Sequence, residues 1–386
     1  MRALRLIDEE LHDELVRHCS VVHERMFTTI DNTEVVFCDE REQFGHPMLC
    51  ARMLFLHDAL RRRAMRHGVR FVPGVECCGV KVLDGARGVE LSLREAMEEG
   101  EEEEEGEEQV VTAGLAVGAD GLHSVVRKHL GDMDEPRDTG SVWFVGIAQH
   151  AVCPVLDRER VHQFLLENPT KSVTLMPVGG SHTYWAVTMS GPDQEEALRL
   201  PEEDMKNFLI QHFRECDAVV PLIKATPPEQ MTRKKIQDRP ALESFIMGAQ
   251  GADSSHDDDD PRVVLVGDAA HPMRPAMCQG ANVALEDAAQ LALLIRDAGS
   301  VGEALRAYDE ARVLRCATIQ GDSEFVARKR RPPEGAGGGG DLPGQGGSGV
   351  KRESPPNAVG RDHVWLFNWE PRRLREPPRW RGADSG

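Results

Sequence analysis

The chain has 386 residues, 40% of them hydrophobic, enough for two domains and a large core. Its net charge is −19, but fourteen carboxylates sit in two local runs, nine glutamates at 98–108 and five aspartates at 253–260, and the remainder carries an ordinary −5. This excludes a broad basic face for nucleic acid, and no apolar run approaches the roughly 18 residues of a membrane span. Nine scattered cysteines without a C-x-x-C pair argue against a disulfide scaffold or zinc ribbon and suit a reducing compartment, the cytoplasm by default.

In chain order, the apolar spacing of Leu11, Leu15 and Val22 predicts a helix over 6–22, and the β-branched run at 34–38 a strand. A helix over 54–67 follows, with Leu56, Leu60 and Ala64 on one face, Arg61, Arg62, Arg63 and Arg66 near its end, and Gly68 to stop it. Strands are expected at 69–72, 76–82, 89–93 and 110–117, the last two separated by the polyglutamate run as a solvated loop. A separate sheet block spans 141–240, with strands at 142–152, 173–176 and 183–189 and a helix at 202–216. Beyond it come a buried strand at 262–266, a helix at 282–297 and, from the capping-box spacing of Ser300 and Glu303, a helix to about 328. A Gly/Pro-rich linker covers 332–360, and the Arg/Pro-rich end offers Trp365, Phe367, Trp369 and Trp380 as docking points.

Two segments carry chemistry. In the first, a strand ends in Gly118-Ala119-Asp120-Gly121, and a short helix begins with Arg127 one turn in; this arrangement can hold a phosphate-bearing ligand. In the second, the strand Val263-Val264-Leu265-Val266 ends at Gly267, and Asp268 projects from the carboxyl edge, where open α/β sheets bind ligands. A carboxylate there accepts hydrogen bonds from sugar or polyol hydroxyls. Gly280 then permits close approach at a helix N-terminus, which favours negative charge. Taken alone, either segment is often only a turn with an N-cap. The two in this order, about 150 residues apart, are far more specific.

Together they resemble the class A FAD-dependent monooxygenases of the para-hydroxybenzoate hydroxylase fold, in the salicylate hydroxylase and zeaxanthin epoxidase branch. Gly118-Ala119-Asp120-Gly121 to Arg127 is similar to the family's DG segment. Gly267-Asp268-Ala269-Ala270-His271-Pro272-Met273-Arg274-Pro275, Gly280-Ala281-Asn282 and Glu286-Asp287-Ala288 are similar to its second FAD segment. Tyr308, Arg312 and Arg315 match the following helix, and Trp365-Leu366-Phe367 is similar to the family's C-terminal aromatic stretch; the likeness covers roughly 1–328.

The resemblance implies a mixed α/β fold: an FAD-binding domain at 1–140 and 241–330, a substrate sheet at 141–240, a linker at 331–360 and a tail at 361–386. It implies that Gly267 and Asp268 bind the ribityl chain of FAD, and that Gly280, Ala281 and Asn282 face the flavin. Asp120, Gly121 and Arg127 serve FAD, and Pro275 positions the flavin face. Arg52, or Met53 on another alignment, stands where the family has an FAD-contacting arginine. The implied reaction uses NAD(P)H and O2 to hydroxylate or epoxidise an aromatic or unsaturated small molecule through a flavin C4a-hydroperoxide, with Trp143, Phe144, Met176 and Trp185 as candidate substrate wall. A reductase or halogenase of the same fold is the alternative enzyme. His271 reads as structural and no metal is expected.

Two departures stand out. The family opens with a strand, a G-x-G-x-x-G turn and a helix, whereas the first glycine here is Gly45. A truncated gene model or fragment is expected, with a degenerate, non-catalytic FAD-binding copy as the alternative. Cys278 also replaces a small glycine at the flavin edge.

Overall fold

The computed structural model describes residues 2–29, 34–39, 45–83, 88–96, 108–153, 156–157, 159–247, 260–329 and 369–372. The glutamates at 98–107, the aspartates at 253–259, the linker, and Trp365, Phe367 and Trp380 lie outside them.

The expected first helix is two. α1 (Arg2–Ile7) and α2 (Glu9–His18) part at Asp8, whose extended backbone and carboxylate, accepting from Leu11 N–H at 2.8 Å, cap α2. Val21 and Val22 leave the helix as β1 (Ser20–Val22), because these β-branched residues find a strand partner downstream. β2 (Glu24–Thr29) and β3 (Glu34–Asp39) follow, then β4 (Met48–Cys50), which pairs with β1. α3 (Met53–Arg66) closes at Gly68, in the left-handed region at φ 83°. The strand expected at 69–72 is irregular chain with Val69, Phe71 and Val72 exposed. Its sequence suits a strand, but no neighbouring strand among the described residues pairs with its backbone groups.

β5 (Val75–Leu83), β6 (Gly88–Glu95) and β7 (Gln109–Ala113) form an antiparallel meander. The strand expected over 110–117 is divided: β8 (Ala116–Gly118) belongs to another sheet and leads into α4 (Val125–His129). β9 (Arg137–Gln149), β10 (Arg160–Leu165), β11 (Lys171–Pro177) and β12 (His182–Ser190) precede α5 (Pro192–Arg199), α6 (Glu202–His212) and α7 (Val220–Ala225). With β13 (Thr232–Asp238), the strands make a seven-stranded sheet in the order β13-β9-β12-β11-β10-β2-β3. β14 (Ile246–Met247) and β15 (Val263–Leu265) join β8 in the order β14-β15-β8, with β15 parallel to β8. α8 (Gly280–Asp297) and α9 (Val301–Lys329) complete the fold. As expected, Ser300 Oγ accepts from Glu303 N–H at 3.2 Å, and Glu303 reaches back to Gly299 N–H at 2.6 Å.

The chain divides into two compact units. One comprises 1–69, 138–237 and 322–369; the other comprises 70–137, 238–321 and 370–386. The first 69 residues therefore cluster with the large sheet, whereas the sequence reading groups them with 70–140, because β2 pairs in parallel with β10. The first unit's core lies between that sheet and its helices: Phe144, Val173, Trp185 and Val187 meet Phe208, Leu209, Phe213 and Leu222. Trp185 donates through Nε1 to Thr226 Oγ1 at 2.9 Å, and its ring lies over Gly146, where a Cβ would approach it to 2.6 Å.

Candidate functional site

Both chemistry-bearing segments lie in the second unit. β8 ends at Gly118, where a Cβ would come within 2.8 Å of Leu265 and Val126, so only glycine lets β15 and α4 close around it. Asp120 is exposed, and its carboxylate organises the start of α4. Oδ1 accepts from Ser124 Oγ at 2.6 Å, and Oδ2 from the N–H groups of Val125 at 2.7 Å and Val126 at 3.1 Å. Gly121 supplies the left-handed turn, at φ 76°. Arg127 is buried, and its guanidinium faces protein acceptors. Nε meets Asp132 at 2.5 Å, Nη1 the carbonyls of Ala270 at 3.0 Å and Ala269 at 3.3 Å, and Nη2 that of Pro240 at 3.2 Å. Expected at a phosphate, Arg127 joins the two segments instead.

In the second segment, β15 runs into Gly267 at φ 58° and a short 3-10 turn bearing Asp268. Asp268 is reached by solvent yet recessed among protein atoms. Burial lifts its carboxyl above the usual carboxylate range, with the charge of His271 pulling the other way. A Cβ at Gly280 would stand 3.8 Å from Asp268 Oδ1, so this carboxylate borders the start of α8. Gln279 provides no side-chain cap there, and the first-turn N–H groups of Gly280, Ala281 and Asn282 have no intrahelical acceptor. Pro275 is exposed at the head of a second 3-10 turn, Pro275–Met277. That turn ends at exposed Cys278 with φ 54° and ψ 34°, so a side chain occupies a left-handed position that suits glycine better.

Beneath these groups lies an ion network in which the sequence assigned a part only to His271, a structural one. Asp287 Oδ2 accepts from Gly267 N–H at 2.9 Å and lies 2.6 Å from His271 Nε2, while its Oδ1 accepts from Arg312 Nε at 2.8 Å. Arg312 Nη1 donates to Glu286 at 2.9 Å, and Arg315 forks onto both oxygens of Glu286 at 2.7 Å. Burial alone would raise Asp287, but His271 and Arg312 outweigh it and hold its pKa below the usual value. The legible signal was an acidic pair, Glu286-Asp287, on an alanine-rich helix, followed by arginines three residues apart on the next. His271, Asp287 and Cys316 could converge on a metal, but Arg312 already occupies Asp287, so the group reads as an ion pair.

The remaining candidates lie in the first unit. Arg52 is exposed just before α3 and makes no capping bond. The four proposed wall residues divide: Phe144 and Trp185 are in the core under the helices, whereas Trp143 and Met176 are half-buried on the opposite face with Ile147 and Tyr184.

A profile of the FAD binding domain family matches residues 7–319. The chain belongs to that family. It is 33% identical over 220 residues to the aurachin C monooxygenase/isomerase of Stigmatella aurantiaca, covering 56% of this chain and 50% of that one. It is 33% identical over 225 residues to the 3-amino-4-hydroxybenzoate 2-monooxygenase of Streptomyces cremeus, covering 58% and 52%. Against the chloroplastic zeaxanthin epoxidase of Solanum lycopersicum the figures are 30% over 229 residues, 57% and 32%. The chain thus spans about half the length, or less, of these curated relatives. Its fold is that of Klebsiella pneumoniae HpxO complexed with FAD and uric acid, at TM-score 0.69 and 21% identity over 86% of this chain and 78% of that one. Pseudomonas aeruginosa PqsL in complex with 2-aminobenzoylacetate has the same fold, at TM-score 0.61 and 21% identity over 85% of each chain.

The residues of this family member fit the flavin end of FAD: a recessed carboxylate, an open Gly280 beside it and an uncapped helix N-terminus. In this sequence, the first glycine is Gly45. Among the described residues, no helix is long and apolar enough to cross a membrane.

Proposed function

We propose that the chain contributes the flavin-binding portion of an FAD-dependent monooxygenase that uses NAD(P)H and O2 to oxygenate an aromatic or unsaturated small molecule. The observation that carries this reading is Asp268, set at the carboxyl end of β15 and bordering the uncapped start of α8. Bound FAD supplies the redox chemistry that activates oxygen. Asp268 accepts from the hydroxyls of the ribityl chain. The N–H groups of Gly280, Ala281 and Asn282 stabilise electron-rich flavin, and the α8 dipole adds to them. Pro275, with no N–H of its own, borders the flavin face, and Asp120 with Gly121 shapes the turn that serves the cofactor. The half-buried face with Trp143, Ile147, Met176 and Tyr184 suits an apolar, aromatic substrate. Relatives named for monooxygenation of 3-amino-4-hydroxybenzoate and epoxidation of zeaxanthin support the same reaction class.

Titration of the purified chain with FAD, followed by flavin fluorescence, separates the outcomes. Saturable quenching lost in Asp268→Ala, with NADPH oxidation stimulated by a phenol, supports the enzyme. Binding without oxidation would count against the monooxygenase reading. Equal binding by wild type and variant would refute the role of Asp268.

A further inference from the structure

After the 3-10 turn that bears Asp268, the chain runs from His271 to Arg274 without regular structure and then makes the Pro275–Met277 turn. Side chains from elsewhere in the second unit grip this stretch in order. Arg127 donates to the carbonyls of Ala269 and Ala270, and Gln320 Nε2, from α9, donates to that of Pro272 at 3.1 Å. The last grip is on a side chain. Arg274 donates through Nε to Asp238 Oδ2 at 2.8 Å, and Asp238, buried at the end of β13, accepts from Arg137 Nε on Oδ1 at 2.9 Å. The two arginines are unequal. The Arg137 side chain is 47% exposed and that of Arg274 only 12%, so water and salt screen the first pair far more than the second.

Beyond Arg274 the turn closes on itself. Pro275 and Cys278 are exposed, and the Cys278 N–H donates to the carbonyl of Pro275 at 3.0 Å. Where this tip stands is therefore decided at its base. Arg274 lies at φ −62° and ψ 143°, the extended form to which a residue before proline is biased, and the Pro275 ring fixes the next φ at about −65°. Two stiff residues in succession leave little freedom between them, so a chain tethered at Arg274 carries Pro275 with it.

We propose that Asp238 is a positioning residue of the cofactor site: acting through Arg274, it fixes the turn that presents Pro275. The effect is one-sided, running through Oδ2 to Arg274 and not through Oδ1 to Arg137, which separates it from the general stabilisation that any buried ion pair gives. Its link to the flavin rests on the reading above. Its hold on the turn does not.

The test therefore starts with the full chain free of cofactor. Asp238→Asn is expected to speed hydrogen exchange at the Cys278 amide roughly tenfold, and Arg137→Gln to leave it unchanged. The Leu294 amide, inside α8, reports loss of the whole fold and serves as the reference. Equal acceleration at Cys278 and Leu294 would make Asp238 an ordinary stabilising residue and overturn the proposal. An unchanged rate at Cys278, or the same acceleration in Arg137→Gln, would overturn it too. Should Asp238→Asn fail to fold, Arg274→Met is the second variant: it leaves Asp238 paired with Arg137, and the same rise at Cys278 is expected.

With FAD bound, the visible circular dichroism of the flavin should change shape in Asp238→Asn and not in Arg137→Gln. Saturable binding should persist in both, because Asp268 and the start of α8 are untouched. An unchanged spectrum in Asp238→Asn would refute the role at the cofactor. If the wild type binds no FAD, the flavin reading fails by itself, and the exchange rates still decide whether Asp238 holds the turn.

Discussion

Arg127 donates through Nη1 to the carbonyl of Ala270 at 3.0 Å, linking residues 143 positions apart and joining the turn after β15 to α4 through one buried guanidinium. The bond sets the turn after β15 against α4. Because Asp132 meets Nε of the same group, losing the arginine leaves a carboxylate without its partner. Arg127→Met is expected to cost about 3 kcal/mol in urea unfolding. Arg127→Lys should rescue little, since one ammonium cannot reach Asp132, Ala269, Ala270 and Pro240 together.

Asp268 stands in the free chain with its carboxyl held above the usual range, so its ionised form is disfavoured there. Asp268→Asn should raise the thermal midpoint at pH 7 while weakening FAD binding. A variant that lowers both would mean the carboxylate is structural, and paired differential scanning and flavin titrations distinguish the cases.

The His271–Asp287 pair sets opposite limits on stability with pH. His271 is raised in the folded chain, so its contribution is complete below pH 6.5 and is lost as pH rises through about 10. Asp287 is lowered, so its contribution is present above about pH 4 and is lost on further acidification. Denaturant melts of wild type against His271→Gln should show the difference between them shrinking from pH 6.5 towards 10.

Cys278 holds a left-handed backbone that costs an L-residue free energy. Cys278→Gly should therefore stabilise the chain by about 0.5–1 kcal/mol, after allowing for glycine's greater unfolded entropy. A destabilised variant would show that the side chain contributes more than its backbone strain costs.

Gln290 reads the backbone of Arg372 with both ends of its amide, donating through Nε2 to the carbonyl at 2.9 Å and accepting from the N–H at 2.8 Å. Gln290→Ala should speed hydrogen exchange at the Arg372 amide roughly tenfold. An unchanged rate would mean that the ion pair of Arg372 with Glu310, at 2.6 Å, holds the segment unaided.

What the sequence by itself determined was local. The run from Val263 to Asp268 reads as a buried strand opening into a ligand edge, and Ser300 with Glu303 starts a helix. Gly68 ends one, because each signal is carried by residues within a turn of each other. The tertiary structure decided the rest. Residues 69–72 carry strand-forming side chains and form no strand, because a strand needs a partner that its own residues cannot provide. β2 was not legible because its partner, β10, lies more than a hundred residues away. Alternation alone does not say which face of a strand is covered, so Trp185 and Trp143 separated into core and open face only when α5, α6 and α7 settled on one side. Arg127, His271 and Asp287 could be named from the sequence, but only folding turned their charges inward onto one another. Desolvation and the identity of the facing group set what a charge does, and both are properties of three-dimensional surroundings.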